Sequence, residues 1–213
     1  MAQFTLPKNS KVQNGKTYHA ANGAKRTKRF VIYRYDPETG FYEIERGPCD
    51  LTDVARRIAK NHLLPAEKQE LTLSFRASDD VPIVNVDDTM IERSLTNLVD
   101  NAIKYTPNGG HIEIAVERQN DYIVITVSDN GYGISEENLR HLFQRHFRIR
   151  RREHKRVKGS GLGLFIVRSV ARQHGGDAFV TSTEGEGSTF GIRIPLSGEN
   201  LVGSSAGASL EDL

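Results

Sequence analysis

Helix-like and strand-like segments follow one another irregularly along this chain, and their order excludes most α/β folds. Hydrophobic periodicity predicts the order α-β-β-α-β-β-α-α-β-β, which lacks the regular alternation that a doubly wound parallel sheet requires. The order predicts a two-layer α/β sandwich, with helices packed on one face of a mixed sheet. The predicted helices cover residues 50–64, 87–105, 135–143 and 163–174, and the predicted strands cover residues 71–75, 83–86, 111–118, 122–128, 178–183 and 189–195.

Composition divides the 213 residues into a central domain with two less regular ends. Residues 1–40 form a predicted arm of low order that ends in the strand-like sequence RFVIYRY and the turn-like sequence DPETG. Residues 41–197 carry the alternating apolar segments and form the predicted domain. Residues 198–213 are rich in serine and glycine and are predicted to be a flexible tail.

Cysteine content, hydropathy and charge exclude several classes of protein. The single cysteine, Cys49, excludes an intrachain disulfide and any four-cysteine metal site within this chain. No apolar run approaches the roughly 18 residues of a membrane helix, and the N-terminus lacks the apolar core of a signal peptide. The net charge of +2 is small, but basic residues cluster in 8–34 and 140–158, where each cluster could contact phosphate.

A polar stripe lies on the longest predicted helix, where a purely structural helix would be apolar. Asn97 and Asn101 are four residues apart, and Lys104 and Tyr105 follow on the same face. Amide oxygens suit Mg²⁺ that also binds phosphate, lysine supplies a charge for phosphate, and tyrosine a flat surface for a base. An ordinary solvated helix face would explain the same residues if the helix stood alone.

Two further segments favour a site for an adenine nucleotide. Asp129 ends a predicted strand in the sequence DNGYG, where a carboxylate can accept a hydrogen bond from an exocyclic amine. The glycine-rich sequence GSGLG opens a predicted helix, whose free N–H groups and dipole favour a polyphosphate. Taken singly, the first could be a turn and the second a tight packing site. Three such elements within one domain indicate a binding site.

In their order, five motifs resemble the N, G1, F, G2 and G3 boxes of the ATP-binding catalytic domain of sensor histidine kinases. These motifs are NLVDNAIKYTP, DNGYGI, LFQRHFRIRR, GSGLGLFIV and GEGSTFGIRIPL, and the resemblance spans residues 41–196. It implies the GHKL fold, which DNA gyrase B, heat-shock chaperones and mismatch-repair ATPases share. The implied cofactors are ATP and Mg²⁺.

The resemblance also implies a role for each matching residue. Asn101 would be the Mg²⁺ ligand with Asn97 supporting it, Lys104 would contact phosphate, Tyr105 would line the adenine site, and Asp129 would bind the adenine amine. Further nucleotide contacts are implied at Gly131, Gly133, Ile134, Gly159, Ser160, Gly161, Leu162, Gly163, Leu164 and Thr189.

The basic segment after the F box resembles the mobile lid of the family. Arg145 and Arg148 match basic positions that approach the γ-phosphate, and closure of residues 145–158 would follow nucleotide occupancy. A solvated loop is an alternative. A nucleic-acid patch is not expected, because the segment lacks the interleaved aromatic residues that stack on bases.

The residue type at position 97 helps to distinguish phosphoryl transfer from ATP hydrolysis. Hydrolytic members of the superfamily have a glutamate there as general base, and an asparagine cannot accept a proton at neutral pH. The resemblance therefore implies phosphoryl transfer to a histidine in two-component signalling. None of the seven histidines lies in a context such as His-Glu-Leu-Arg-Thr-Pro, so the acceptor is expected on a separate dimerisation domain, with a response regulator as an indirect partner. A cytoplasmic location is expected, with membrane attachment of a parent protein left open.

Residues 1–40 carry a second resemblance, to the N-terminus of the iron–sulfur subunit of succinate dehydrogenase, in the sequence GAKRTKRFVIYRYDPETG. The cysteines that its clusters need are absent, so no cluster is implied. A fusion or rearranged gene is one hypothesis for the join near residue 40. Two alternatives to a histidine kinase remain at this point: a non-catalytic adaptor with a vestigial nucleotide site, and a serine kinase of the anti-sigma type on the same fold.

Overall fold

A computed structural model describes residues 44–149, 160–197 and 200 of the chain. The predicted arm with its strand, residues 150–159 of the predicted lid, and the tail apart from Asn200 lie outside these residues. The sheet and its helices lie within the first two ranges. The elements are β1 (Gly47–Cys49), α1 (Leu51–Glu67), β2 (Thr72–Ala77), β3 (Val84–Val86), α2 (Asp88–Tyr105), β4 (His111–Gln119), β5 (Tyr122–Asp129), α3 (Glu136–Leu139), α4 (Gly163–Gln173), β6 (Asp177–Thr183) and β7 (Gly187–Pro195).

Five strands form one mixed sheet in the order β2-β4-β5-β7-β6. The β2–β4 pair is parallel, whereas β4–β5, β5–β7 and β6–β7 are antiparallel. The short strands β1 and β3 pair separately. Helices α1, α2 and α4 pack on this sheet and on one another. The prediction of a two-layer α/β sandwich with a mixed sheet is confirmed.

The core lies between the helices and the sheet. Helix α2 buries Met90, Ile91, Leu95, Leu98 and Val99 on one side. The sheet contributes side chains that alternate along its central strands, and each fully buried side chain of this size stabilises the fold by about 1.5–3 kcal/mol. The fully buried isoleucines of the sheet are Ile112, Ile114, Ile123, Ile125, Ile192 and Ile194. Because α2 is anchored by its apolar side, its polar stripe faces away from that core.

Two helix ends differ from the prediction. Helix α1 does not end before Pro65 but continues to Glu67. Proline lacks only its own N–H, and in the last turn the helix still closes through the Lys68 N–H and the Leu64 carbonyl at 3.1 Å. Helix α3 ends at Leu139 instead of near residue 143, and the chain continues in turns.

Strand β1 was not predicted, because its sequence Gly-Pro-Cys has no strand signal. Its partner β3 supplies the order, pairing Gly47 with Val86 and Cys49 with Val84. Cys49 is buried, and this burial, with the nearby charges of Asp88 and Asp50, raises the pKa of the thiol to about 11. The thiol is therefore protonated and unreactive at neutral pH.

A buried hydrogen-bonded joint connects α2 to the far end of α4. Asp87 is the N-cap of α2, and its N–H donates to Nε2 of His174 at 2.9 Å. Since Nε2 accepts, Nδ1 carries the hydrogen and donates to the Val170 carbonyl at 2.8 Å. His174 is completely buried, and this burial lowers its pKa. The histidine is therefore neutral in the folded protein near neutral pH.

Residues from before and after the sheet complete this joint. The Glu45 N–H donates to Oδ2 of Asp87 at 3.0 Å. Arg46 donates through one nitrogen to the Gln173 carbonyl at 2.8 Å and through another to the side chain of Asn200. Asn200 donates to the carbonyl of His174 at 2.7 Å. These bonds satisfy carbonyl groups at the C-terminal end of α4 that the helix itself leaves without partners.

Across the part of the chain that the structure describes, none of the helices combines the length and the hydropathy that crossing a membrane requires.

Candidate functional site

A cavity of about 290 Å³ opens between the second half of α2, the loop after β5, the first turn of α4 and the start of β7. Twelve of the predicted site residues lie on its wall. They are Asn97, Asn101, Lys104, Tyr105, Asp129, Gly133, Ile134, Arg148, Ser160, Gly161, Gly163 and Leu164. The structure therefore brings together motifs that are far apart in the sequence.

The polar stripe of α2 forms one long wall of the cavity. Asn97, Asn101 and Tyr105 are half-buried, and Lys104 is exposed. At a rise of about 1.5 Å per residue, Asn97 and Tyr105 are separated by roughly 12 Å along the helix axis. The cavity is consequently elongated, with one end at Tyr105 and the other at Asn97.

At the Tyr105 end, Asp129 supplies a half-buried carboxylate. Its Oδ1 accepts a hydrogen bond from the Gly131 N–H at 2.9 Å, and the carboxylate also accepts from the Ser188 N–H. Burial raises the pKa of Asp129, and these two hydrogen bonds oppose that shift. The carboxylate oxygens have lone pairs beyond those two bonds, so Asp129 can accept a further donor from a ligand in the cavity.

Hydrogen bonds connect the loop after β5 to two other elements, α2 and β6. The Tyr132 N–H donates to the Tyr105 carbonyl at 3.2 Å, which joins the loop to the end of α2. The Ile134 N–H donates to the Ser182 hydroxyl at 2.9 Å, which joins it to β6. Gly133 lies between these bonds with φ +60°, and a Cβ there would lie 1.9 Å from the Thr183 carbonyl oxygen. Only glycine fits this position without displacing the backbone of β6.

At the Asn97 end, the start of α4 lies against α2. A Cβ placed on Gly163 would lie 3.3 Å from Oδ1 of Asn97, so the two helices approach closely here. Leu162 precedes the helix in the αR conformation, and among the described side chains none caps the helix. The N–H groups of its first turn therefore remain as donors, and the helix dipole adds a partial positive charge. This end of the cavity suits an anion.

Three predicted site residues of the described segments lie near the cavity but not on its wall. Gly131 lies behind Asp129, where a Cβ would meet the Tyr105 carbonyl at 2.3 Å. The Thr189 hydroxyl pairs with that of Ser128 at 2.9 Å. Leu162 is likewise outside the wall, although both of its neighbours line it. Their nucleotide contacts stay predictions.

Arg145 is also placed apart from the cavity wall. Its guanidinium lies over the ring of Phe165, with Cζ 4.6 Å from the ring centroid, whereas Arg148 lines the cavity. The predicted phosphate contact of Arg145 therefore requires its side chain to leave Phe165. Gly159 lies outside the described residues, and its role stays a prediction.

Sequence reasoning missed several wall residues, which are mostly apolar. Tyr132, Leu142 and Phe147 come from the loop and turns, and Ser188 and Phe190 come from β7. Tyr132 lies within the DNGYG motif and Phe147 lies next to Arg148, so a neighbouring predicted site residue could have indicated each of them. Ser188 and Phe190 reach the cavity because β7 pairs with β5 in a register that places Ser188 opposite Asp129. That register was not evident from the sequence.

The cavity as a whole can bind an elongated ligand with a hydrogen-bond donor at one end and negative charge at the other. Asp129 supplies the acceptor, and Tyr105, Tyr132 and Phe190 supply apolar surface beside it. The amide oxygens of Asn97 and Asn101 can bind a hard cation. Within the described residues no group of three or more carboxylate, histidine or cysteine side chains could hold a metal ion, so such a cation would depend on the ligand for further oxygens.

Comparison with protein families gives a match over residues 86–198, a little over half of the chain. The matching family is described as histidine kinase-, DNA gyrase B-, and HSP90-like ATPase. All five motifs fall within this range.

Curated relatives include two bacterial sensor kinases. The adaptive-response sensory kinase SasA of Rippkaea orientalis is 36% identical over 148 residues, which are 69% of this chain and 36% of that protein. The alginate biosynthesis sensor protein KinB of Pseudomonas aeruginosa is 30% identical over 159 residues, 75% of this chain and 26% of that protein. The chain thus spans about a quarter to two fifths of the length of the curated relatives it matches.

Solved structures match the fold as well. The catalytic domain of histidine kinase ThkA has a TM-score of 0.64 and 28% identity, covering 73% of this chain and all of that domain. Full-length ShkA in complex with AMPPNP has a TM-score of 0.63 and 23% identity over 72% of this chain and 31% of that one, a likeness that shows the fold alone.

Proposed function

Because this chain belongs to the family of histidine kinase-, DNA gyrase B- and HSP90-like ATPases, we propose that its cavity binds Mg-ATP and donates the γ-phosphoryl group to a histidine on a separate dimerisation domain in two-component signal transduction. One observation carries the proposal. The cavity has a half-buried carboxylate at the Tyr105 end, and the Asn97 amide lies beside the first turn of α4 at the other end, roughly 12 Å away along α2. Two cations, Lys104 and Arg148, line the same cavity.

Asp129 recognises the adenine in this proposal. Its ionised carboxylate accepts a hydrogen bond from the exocyclic amine, while the N–H groups of Gly131 and Ser188 fix its orientation. Tyr105 and Phe190 provide apolar surface for the ring. A guanine base presents a carbonyl oxygen at the corresponding position, which would repel the carboxylate, so the site selects adenine.

Asn101 is the proposed Mg²⁺ ligand, with Asn97 supporting it one turn earlier on α2. The donor set fits this ion, because Mg²⁺ accepts one or two protein oxygens and completes its shell with water and phosphate. When bound, Mg²⁺ would neutralise charge on the phosphates. The position of Asn97 against Gly163 places these amides beside the first turn of α4, where the phosphates would lie.

Phosphoryl transfer then depends on position and charge. Lys104 and Arg148 line the cavity and supply positive charge to the phosphates. A neutral imidazole nitrogen of the acceptor forms the new N–P bond as the bond from the γ-phosphorus to the bridging oxygen breaks, and ADP leaves with the electron pair. Asn97 cannot activate water by accepting a proton, which favours transfer over hydrolysis.

The remaining assignments extend the proposal to the whole protein. Residues 41–197 form the catalytic domain, and the dimerisation domain with the acceptor histidine belongs to another chain or to another part of the protein. A response regulator would receive the phosphoryl group, and the domain would act in the cytoplasm. Histidine kinase ThkA has been solved in complex with the response regulator protein TrrA, which supports a partner of this kind.

Calorimetric titration with ATP and Mg²⁺ tests nucleotide binding. Asp129→Ala and Asn101→Ala should each weaken binding by about tenfold or more, because each removes a hydrogen bond or ligand inside the cavity. Asp121→Ala and Asn108→Ala are matched controls, since both residues are exposed and lie outside the cavity. If the folded native chain does not bind ATP, the proposal is wrong, and an adaptor with a vestigial site becomes the better reading.

Transfer requires a second experiment with an acceptor supplied in trans. A separate dimerisation domain that carries an acceptor histidine, incubated with this chain and labelled ATP, should gain label that is lost in acid, as phosphohistidine is. Replacement of its acceptor histidine by alanine is the control. Acid-stable label on a serine of a partner protein would instead support the anti-sigma type of kinase.

A further inference from the structure

His146 has a backbone conformation that few residues other than glycine adopt. Its φ is +61°, in the left-handed region, which is uncommon for residues other than glycine; histidine is among those found there more often, and surrounding contacts offset the cost of the conformation. The residue is exposed and does not line the cavity, yet the next three residues, 147–149, line its wall. Because the side chain is exposed, packing in the core does not fix this conformation.

Two hydrogen bonds hold His146 in this conformation, and both acceptors lie in the segment just before α4. The His146 N–H donates to the Gly161 carbonyl at 3.0 Å. Its Nδ1 lies 3.3 Å from the Ser160 carbonyl oxygen. A carbonyl oxygen only accepts, so Nδ1 carries the hydrogen and donates. His146 thus binds two successive carbonyl groups.

The planarity of the peptide bond converts these two bonds into an orientation of N–H groups. In a trans peptide the C=O and the following N–H point in opposite directions. With the Ser160 and Gly161 carbonyls directed toward His146, the N–H groups of Gly161 and Leu162 are directed away from it. Ser160, Gly161 and Gly163 line the cavity, so the two N–H groups belong to residues at that wall or next to it.

The local backbone has the form of an anion-binding nest. Gly161 has φ +72°, and Leu162, which follows it, is in the αR conformation. When one residue has a left-handed and the next a right-handed backbone conformation, their adjacent N–H groups point into one concavity that can accept an anion. Gly161 also permits the close approach, because a Cβ there would lie 2.8 Å from the His146 carbonyl carbon.

We propose that His146 is a positioning residue that fixes the N–H groups of Gly161 and Leu162 toward the phosphates of the nucleotide. The inference rests on the proposed function, and it adds a residue outside the cavity wall to the phosphate end of the site. His146 touches no phosphate itself. It acts through the two peptide groups that it binds.

Calorimetry with ATP and with adenosine, both on the whole chain, tests this role. His146→Ala should weaken ATP binding by about tenfold, because the side-chain bond to Ser160 is lost, and should change adenosine binding less than twofold. His146→Gly relieves the strain but lacks the donor, and it should also bind ATP more weakly. His146→Asn should restore ATP binding, since asparagine adopts positive φ readily and its amide can donate to the same carbonyl.

Two comparisons separate this role from a general loss of structure. Asn120→Ala places an alanine at another positive φ, +54°, in the turn between β4 and β5, and should leave ATP binding unchanged. Thermal unfolding of each variant confirms that it is folded.

The proposal is overturned if the native chain binds ATP and His146→Ala or His146→Gly binds it equally well, or if adenosine binding falls by the same factor as ATP binding. Failure of the native chain to bind ATP overturns the proposed function together with this inference.

Discussion

Asp129 is a half-buried carboxylate that must be ionised to accept the adenine amine. Burial raises its pKa above the ordinary value for an aspartate, and its bonds from Gly131 and Ser188 offset that effect in part. A protonated carboxyl loses much of its capacity to accept a hydrogen bond. The charge state of this one residue therefore controls the adenine end of the cavity.

Adenosine affinity should consequently fall with decreasing pH, beginning above the range in which an exposed aspartate titrates. The protonated form dominates below the raised pKa, so the loss occurs on the acid side. Calorimetric titrations across a pH series measure this dependence. Asp129→Asn should bind adenosine weakly at every pH, and an equally steep pH dependence in that variant would assign the titration to another group.

Gly133 is constrained both by its φ and by the backbone of β6. Gly133→Ala should destabilise the protein by about 3 kcal/mol or more, since the left-handed conformation costs ~1–2 kcal/mol and the overlap with Thr183 adds to it. Gly185→Ala is the matched control, because Gly185 has φ +87° but open space around its Cα, and should lose only about 1 kcal/mol. Urea unfolding of both variants gives the comparison, and equal losses would show that the overlap relaxes freely.

Two helices begin at aspartate N-caps that differ in burial. Asp50 is exposed and accepts from Thr52 and Asp53 at the start of α1. Asp87 is buried and accepts from Met90 within α2 and from Glu45 outside it. The first cap serves one helix, whereas the second also connects a preceding segment.

Replacement of each cap by alanine should therefore have unequal effects. Asp50→Ala should cost about 1 kcal/mol, the usual value for an N-cap. Asp87→Ala should cost about 3 kcal/mol, because the buried N–H of Met90 and the part-buried N–H of Glu45 both lose their acceptor. Midpoints of urea unfolding at pH 7.5 measure both. A smaller loss for Asp87 than for Asp50 would contradict the buried geometry.

The sequence predicted elements where a local pattern determines them. Helix α2 was predicted over residues 87–105, with its C-terminal end at Tyr105 as observed, since the apolar period and the following Pro-Asn-Gly-Gly are local signals. The predicted end of α1 was wrong because Pro65 removes only its own N–H bond, and the Lys68 N–H still closes the last turn on the Leu64 carbonyl. Strand β1 was missed because its order depends on pairing with β3, a long-range contact.

The site residues also fall into two groups: those that a local sequence pattern predicts, and those that only the fold brings to the cavity. Asn97, Asn101, Lys104 and Tyr105 could be placed together, because a single helix fixes their spacing. Phe190 could not, since its place on the wall depends on the register of β7 against β5. The His146 bonds also required the fold, because 14 residues separate the histidine from Ser160.

At the scale of the whole molecule, stability should depend on the protonation of His174. Its pKa is lowered in the folded state by burial, so folding favours the neutral ring. The unfolded chain binds the proton near pH 6.5, the ordinary value for histidine. Stability from this group is therefore fully present above about pH 6.5 and is lost as the pH falls below it.

Urea unfolding at pH 8.0 and pH 5.5 should show this loss in the native chain. His174→Gln should be less stable at pH 8.0 but should lose less on acidification, because the group that titrates differently in the two states is gone. An unchanged pH dependence in the variant would place the effect at other histidines or carboxyl groups.

The joint at His174 also determines how short a working fragment can be. The family match covers residues 86–198, but Glu45, Arg46 and Asn200, which complete the joint, lie outside it on both sides. A fragment cut to 86–198 would leave the His174 and Gln173 carbonyls and one oxygen of Asp87 without their protein donors, and α2 would lose the support of α1. Recombinant expression from residue 44 to residue 200 should therefore give a more soluble and protease-resistant domain than expression of the matched residues alone.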